Sequence, residues 1–435
     1  MKRPNHLLVL SAPSDSALKE RAKKVRQSIA GMSDDALANA FYTLNADDAA
    51  DRFRVAVVAE SVEQAVGRLD SFDAGKEDFG LVSGQATIAT PGPVLLFSGQ
   101  GAEYAQMGHA FYQTHPAFKN CIDRARELID DPSRLSMLFE AEPPASDLPI
   151  TKTQISLFVL EAALADLWKA LGVSAAAVMG HSTGEYAAAY AAGALTLEQG
   201  IHIVCRRSEL LSSLTVEGAT ALVFAPEGPV KAALEDLGSE ISIAAINGPE
   251  NITIAGTKKG LAMALLKMKS HPEVAKRGNL VVRKVKIPSA AHSVLLDPIL
   301  DDFEQAVRQA GTAGSPKIPL VSNVTGDYAT DELADASHWR RHLRQTVRFA
   351  DGLKRLTGDK HKTFVEVGPH VNLSTMGRMC LPDMQDLVWL PTLRESWDPW
   401  TTISESIGAM YVRGVAVDLA AFDAPYSRER IEIAA

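Results

Sequence analysis

Five residues, Gly180-His181-Ser182-Thr183-Gly184, constrain this chain more than any others. They lie between an apolar strand signal, SAAAVMG at 174–180, and a helical run over 184–194. A G-x-S-x-G stretch carries meaning in that setting, where the chain turns sharply from a strand into a helix and lifts the serine hydroxyl above a sheet. The glycines permit the turn. The new helix turns free N–H groups and the positive end of its dipole toward the same spot. The pattern therefore asks for a parallel α/β sheet with a nucleophile at its carboxyl edge.

The rest of the chain fits that demand in blocks. Residues 94–220 alternate strand and helix signals: PVLLFSGQG at 93–101, a long helix over 151–171, the strand before Ser182, and helices over 184–194 and 196–213. Residues 219–287 read β-α-β-β-α-β, the order of a ferredoxin-like unit. Alternation resumes over 288–395, with strands near 318–322, 363–367 and 387–390. Ahead of all this, 7–11 and 54–60 read as strands and SVEQAVGRLDSF as a capped helix, a small α/β unit. Residues 72–93 contain Gly and Pro and read as a linker, and 396–435 as a final helix and tail. The expected division is 1–90, then a core made of 91–218 and 288–395, with 219–287 inserted, and 396–435 as a closing segment.

Composition narrows the class of function. The net charge of −9 lacks the broad positive field that nucleic-acid backbones require. No apolar run approaches the roughly 18–20 residues needed to span a bilayer, and Leu7–Leu10 is too short for a signal-peptide core. Cys121, Cys205 and Cys380 are odd in number and far apart, which gives neither a disulfide framework nor metal spacing. The expectation is a soluble, reduced, cytoplasmic protein with no nucleic-acid or membrane partner.

A serine nucleophile needs a base. Of 11 histidines, His292 follows the strand ending at Ile287-Pro288, within the small-residue stretch Ser289-Ala290-Ala291, where a sheet edge would form a site. Spacing alone leaves other histidines open. His181 adjoins the serine and is read as support. Ser98-Gly99-Gln100-Gly101 is a second glycine turn at a strand end, where a free amide would help form an oxyanion hole.

Seven segments follow one another in order: FSGQGAEYAQMG, GHSTGEYAAAYAAGAL, CRRSELL, IAAINGPENITIAG, SNVTGD, HWRRHLRQTVRFADG and FVEVGPHVNLS. Together they resemble the acyltransferase domains of modular polyketide synthases, relatives of malonyl-CoA:acyl carrier protein transacylases. The likeness covers about residues 90–395. The flanks resemble the linker subdomain between ketosynthase and acyltransferase and the segment after the acyltransferase. The resemblance implies an α/β-hydrolase-like, mostly parallel sheet with an inserted ferredoxin-like subdomain, plus a small N-terminal α/β linker subdomain. It implies transfer of a malonyl-type extender unit from acyl-CoA to the phosphopantetheine thiol of an acyl carrier protein, beside a ketosynthase, in polyketide and antibiotic biosynthesis. No cofactor or metal is implied.

Residue by residue, the resemblance makes Ser182 the nucleophile and His292 the base. It puts the amides of Gln100 and Thr183 in the oxyanion hole and Arg207, 25 residues after the serine, on the extender carboxylate. Gln154 then lines the same pocket, and Asn247 and Gly368-Pro369-His370 fall near it. A planar guanidinium suits a carboxylate because it binds both oxygens and stays charged. Arg206 is equally charged, and only the offset prefers Arg207. The family often shows His-Ala-Phe-His or Tyr-Ala-Ser-His up to the base, whereas this chain has Ser289-Ala290-Ala291-His292. Small side chains at Ser289 and Ala291 leave space for a substituted malonyl group, while Ile150–Gln154 resembles malonyl-selecting relatives, so the extender unit stays open. What orients His292 also stays open, with Asp297 as the nearest downstream acid. The rival reading is a serine esterase or thioesterase that shares the turn and delivers the acyl group to water.

Overall fold

The structure is a computed structural model that describes residues 3–86, 90–101, 103–141, 148–276, 278, 280–285 and 290–434. Its strands form three separate sheets. The first contains β1 (His6–Ala12), β2 (Phe53–Ala59) and β3 (Leu81–Gln85), all antiparallel. Alternation along β1 and β2 serves two cores. Leu8, Leu10, Val55 and Val57 pack with Leu18, Val25 and Phe41 of the nearby helices. Leu7, Val9, Ala56 and Val58 belong to the main core, beside Ile403 and Ile407.

Two expectations about the flanks need correction. Residues 72–93 are not a plain linker, because β3 extends the first sheet from Phe53↔Gln85 to Val57↔Leu81. The chain end is not a free tail either. Helix Pro399–Val412 lies on that sheet so closely that a Cβ at Gly408 would meet Ala56 Cβ at 2.8 Å. Further on, Asp423 accepts a 2.7 Å hydrogen bond from buried Arg3, whose guanidinium also lies 3.8 Å from the Phe422 ring centre. The first and last segments thus form one packed layer.

The second sheet is the scaffold of the site. It contains β4 (Val94–Phe97), β5 (Ala177–Gly180), β10 (Leu320–Val321), β11 (Thr363–Val367) and β12 (Val388–Pro391), in the order β10-β5-β4-β11-β12 and wholly parallel. Four apolar residues in a row make β4 buried on both faces, as a parallel strand covered by helices must be. Register pairs Phe97 with Gly180, Met179 with Val321 and Phe97 with Val367. Ser98, His181, Ser322 and Gly368 therefore leave the sheet at one carboxyl edge, where parallel sheets form their sites.

The third sheet holds β6 (Gly218–Phe224), β7 (Ile241–Gly248), β8 (Asn251–Thr257) and β9 (Val281–Val285), in the antiparallel order β7-β8-β6-β9. With helices Glu227–Leu234 and Lys258–Ser270 between its strands, this is the ferredoxin-like arrangement. A register shift near Ala244 frees its carbonyl to accept from the Val347 amide at 2.9 Å, which ties this lobe to the chain beside the main sheet.

Candidate active site

The turn at Ser182 is forced by close packing. A Cβ at Gly180 would lie 2.2 Å from the Glu185 amide, and one at Gly184 would lie 2.3 Å from the Phe97 carbonyl oxygen. Neither position tolerates a side chain. Between them Ser182 takes a left-handed conformation, φ 53°, which a serine adopts only when its surroundings hold it there. Its Oγ lies 2.7 Å from His292 Nε2.

His292 Nδ1 lies 2.9 Å from the Gln345 carbonyl oxygen. A carbonyl only accepts, so Nδ1 carries the proton and Nε2 faces the serine hydroxyl as an acceptor. Asp297 does not orient the base: it pairs with Arg344 Nε at 2.5 Å, away from the imidazole. His292 is buried, and burial together with the nearby Arg207 charge pushes its pKa down to about 3. The ring is therefore neutral at physiological pH, the form in which Nε2 can accept a proton.

Gln100 follows β4, and Thr183 precedes helix Gly184–Ala191. Among the described residues neither backbone amide has a hydrogen-bond acceptor. Both residues line a cavity of about 120 Å³ together with Ser182, His292, Arg207 and Gln154. The Ser182 amide is engaged elsewhere, donating to Asn323 Oδ1 at 2.7 Å. The Gln100 side chain also takes part. It donates to Thr153 Oγ1 at 2.9 Å and accepts from Gln154 Nε2 at 3.1 Å, while Gln154 Oε1 accepts from Arg207 Nη1 at 2.5 Å.

Arg207 comes from helix Leu197–Ser212, which opens with a Thr196–Gln199 capping box. It is 1% exposed, and among the described residues no carboxylate pairs with it and its Nε has no partner. Burial lowers its pKa, yet an arginine stays charged. A buried cation without a counter-ion, in a cavity beside a nucleophile, is built to meet an anion. Arg206, by contrast, is exposed and pairs with Glu209 at 2.6 Å.

The remaining sequence candidates fall as follows. Asn247 does not line the cavity; its Oδ1 meets His181 Nε2 at 2.8 Å and thereby fixes the wall residue His181. Ala291 lines the cavity, joined from the ferredoxin-like lobe by Thr220, Ala244, Ala245 and Thr253. Ser289 lies outside the described residues. Gly368 packs under the Gln100 loop, where a Cβ would reach Ser98 Oγ at 2.2 Å. His370 turns to its own backbone, accepting from the Val371 amide at 3.0 Å. Asn323, Glu185 and Gln345 were missed as site residues. All three lie in motif segments noted in the sequence, but each acts by tertiary contact.

Among the described residues, the largest other groove brings together no comparable nucleophile and base. It has a volume of about 940 Å³ and is lined by Asp48, Arg54 and Tyr411. These bond to one another, the Tyr411 hydroxyl donating to Asp48 and Arg54 Nη1 to the Tyr411 carbonyl. Among the described residues no group of three His, Cys, Asp or Glu is arranged to hold a metal ion, and no helix is long and apolar enough to cross a membrane.

Comparison with known proteins agrees with this fold. The model of the acyl transferase domain matches residues 94–417, and that of the CurL-like polyketide synthase C-terminal region matches 6–69. The chain is 32% identical to the polyketide synthase GfsA of Streptomyces halstedii over 98% of its own length, though it spans only 6% of that synthase. It resembles the solved acyltransferase domain from the second module of the salinomycin polyketide synthase, with a TM-score of 0.79 and 33% identity, covering 96% of this chain and 95% of that one. It also resembles the acyltransferase domain of SpnD, solved in complex with 2-(pent-4-yn-1-yl)malonyl, with a TM-score of 0.80 and 31% identity, covering 96% and 97%.

Proposed function

The chain belongs to the acyltransferase domain family of polyketide synthases, and from that premise we propose that it moves a malonyl or substituted-malonyl unit from CoA to an acyl carrier protein by way of an acyl-Ser182 ester. His292 Nε2 takes the hydroxyl proton as Ser182 Oγ attacks the thioester carbonyl. The oxyanion that forms is met by the Gln100 and Thr183 amides. Collapse breaks the C–S bond, and the CoA sulfur leaves with the proton held by His292. In the second half the phosphopantetheine thiol gives its proton to His292 and attacks the ester. Ser182 Oγ is then the leaving group and recovers the proton. Gln345 holds the imidazolium by its Nδ1–H through both halves, in the place an acid takes in other serine enzymes.

The observation that carries the reading is the buried Arg207, which has no carboxylate partner among the described residues, in the same cavity as the Ser182–His292 pair. A neutral acyl group has no use for it, whereas the free carboxylate of a malonyl unit meets it in both planar contacts. The SpnD domain's malonyl-type ligand supports the same class, and the small wall residues Ala291, Ala244 and Ala245 support tolerance of a substituent. The small share of the synthase GfsA that this chain spans, together with the likeness of its first residues to a ketosynthase-to-acyltransferase linker, supports a neighbouring ketosynthase as a structural partner. CoA and phosphopantetheine enter as substrates, with no resident cofactor in this route.

The test is intact-protein mass after exposure to malonyl-CoA, followed by a chase with phosphopantetheinylated carrier protein. The expected result is one malonyl adduct, absent in Ser182→Ala, that passes to the carrier faster than it is lost to water. Loss to water at the same rate with and without carrier would instead identify a thioesterase.

A further inference from the structure

We propose that Asn323 and Glu185 form a bracket that positions the nucleophile, holding the Ser182 backbone in its left-handed conformation and reserving its amide. The inference rests on the acyl-Ser182 reading above. The strained turn at Ser182 needs an external hold, and the glycines on either side give it none. Asn323 supplies one from the next strand of the sheet, because it follows the end of β10, and β10 pairs with β5. Its side chain grips both ends of the turn. Oδ1 accepts from the Ser182 amide at 2.7 Å, and Nδ2 donates to the Gly180 carbonyl at 2.7 Å. One planar amide therefore spans the three residues across which the chain reverses.

Asn323 is fixed in turn by Glu185, three residues after the nucleophile. The Asn323 amide donates to Glu185 Oε2 at 2.6 Å, and Ser322 Oγ donates to Oε1 at 3.3 Å. The Glu185 amide donates to the Ser182 carbonyl at 3.0 Å. The ring of contacts closes on itself: turn, asparagine, glutamate, and back to the turn. Glu185 and Asn323 are both buried. On its other side Glu185 faces His338 Nε2 at 3.6 Å and His342 Nε2 at 3.7 Å. The bracket has a chemical consequence as well. The nucleophile's own amide is occupied by Oδ1, so the oxyanion falls to the Gln100 and Thr183 amides. Freeing the Ser182 amide disturbs both the direction of Oγ toward His292 and the choice of donors.

The experiment compares wild type, Asn323→Ala, Asn323→Asp and Glu185→Gln in the full chain. Four quantities are read: the single-turnover rate of Ser182 acylation, its half-saturating malonyl-CoA concentration, the rate of Ser182 labelling by a fluorophosphonate probe, and the thermal transition. Asn323→Ala is expected to lose about a hundredfold in both acylation and labelling, the scale of an ångström-sized misplacement of a reacting group. The half-saturating concentration should stay within about threefold, since Arg207 and Gln154 are untouched. Asn323→Asp keeps the acceptor for the Ser182 amide and should recover about tenfold of that loss. A role in folding alone would shift the thermal transition without this split between rate and saturation. Folded Asn323→Ala with both rates near wild type, or with loss only in the half-saturating concentration, overturns the proposal. If Asn323→Ala has no cooperative transition, the nearly isosteric Glu185→Gln decides by the same readings, with roughly a tenfold fall in both rates expected. Failure of every variant to fold makes the bracket a folding element and also overturns the proposal. A wild type that labels with the probe but takes no malonyl unit defeats the functional reading, while the probe rates still judge the bracket. A wild type that does not label defeats both.

Discussion

On the proposed reading, replacing Arg207 with alanine removes the charged side chain, among the described cavity residues, that would distinguish an acyl chain ending in a carboxylate from a neutral one. Arg207 is buried, so solvent would not screen its pairing with a carboxylate. Truncating one partner of a buried, hydrogen-bonded charge pair typically costs about 2–5 kcal/mol. At about 1.4 kcal/mol per tenfold, malonyl loading should fall roughly thirty- to four-thousand-fold. Acetyl-CoA responds in the opposite sense. In wild type an acetyl group leaves the guanidinium facing it unsatisfied, a penalty of about 1–3 kcal/mol that the mutation removes. The malonyl-to-acetyl ratio should therefore drop by about a hundredfold or more, while Ser182 and His292 keep their 2.7 Å contact. The assay is competitive loading from an equimolar mixture of malonyl-, methylmalonyl-, ethylmalonyl- and acetyl-CoA, read as adduct masses on both proteins. An unchanged malonyl-to-acetyl ratio in Arg207→Ala would refute the clamp.

The remaining expectations concern the oxyanion hole, the cavity wall and pH. Gln100→Ala keeps its amide but breaks the contacts to Thr153 and Gln154, so it should raise the half-saturating malonyl-CoA concentration severalfold with little change in rate. Gln100→Pro removes the amide and should cost about 10²–10³ in the acylation rate, and equal effects in the two variants would count against the oxyanion role. Ala291→Phe should shrink the cavity and abolish methylmalonyl and ethylmalonyl loading before malonyl loading, measured in the same mixture. His292 titrates at about 3 when folded and near 6.5 when unfolded, so acylation should be flat from about pH 6 to 8 with no inflection near 6.5. Between those two values the unfolded chain binds the extra proton. The stability due to neutral burial is thus whole above pH 6.5 and shrinks as pH falls, by about 2 kcal/mol at pH 5. His115, pushed down to about 4 mainly by burial, acts in the same direction, and chemical denaturation at pH 5 and pH 7 measures the sum.

Legibility in the sequence tracks how locally each feature is determined. The strands β4, β5 and β11 announce themselves as apolar runs because both of their faces are covered. The strand β3 does not, because its five residues, Leu81-Val82-Ser83-Gly84-Gln85, lie at a sheet edge with three of them exposed and glycine among them. Helix Pro399–Val412 is legible as a helix, with Asp398 capping it and proline at its start. Its destination is not, since packing against Ala56 joins residues more than three hundred positions apart in the chain.

The site divides along the same line. The Ser182 turn is legible because a reversal that sharp needs glycine on both sides within five residues. Helical periodicity offers a second signal, beside the offset from the serine, that separates Arg207 from Arg206: Arg207 falls on the stripe of Gly200, Ile203, Val204, Leu210 and Leu211, while Arg206 falls between. The hold on His292 had no such trace. It is a backbone carbonyl, Gln345, 53 residues downstream, and a carbonyl exists at every position whatever the side chain. Asn323 lies 141 residues from the amide it accepts from, just after a strand only two residues long. Its role follows from the strand order β10-β5-β4, which places the end of β10 beside the end of β5. A nucleophile can therefore be read from its own sequence, because the strain of its turn is local. The groups that sustain that strain cannot, because a strained turn must be held from outside the segment that carries it, and only the assembled sheet decides which residues are within reach.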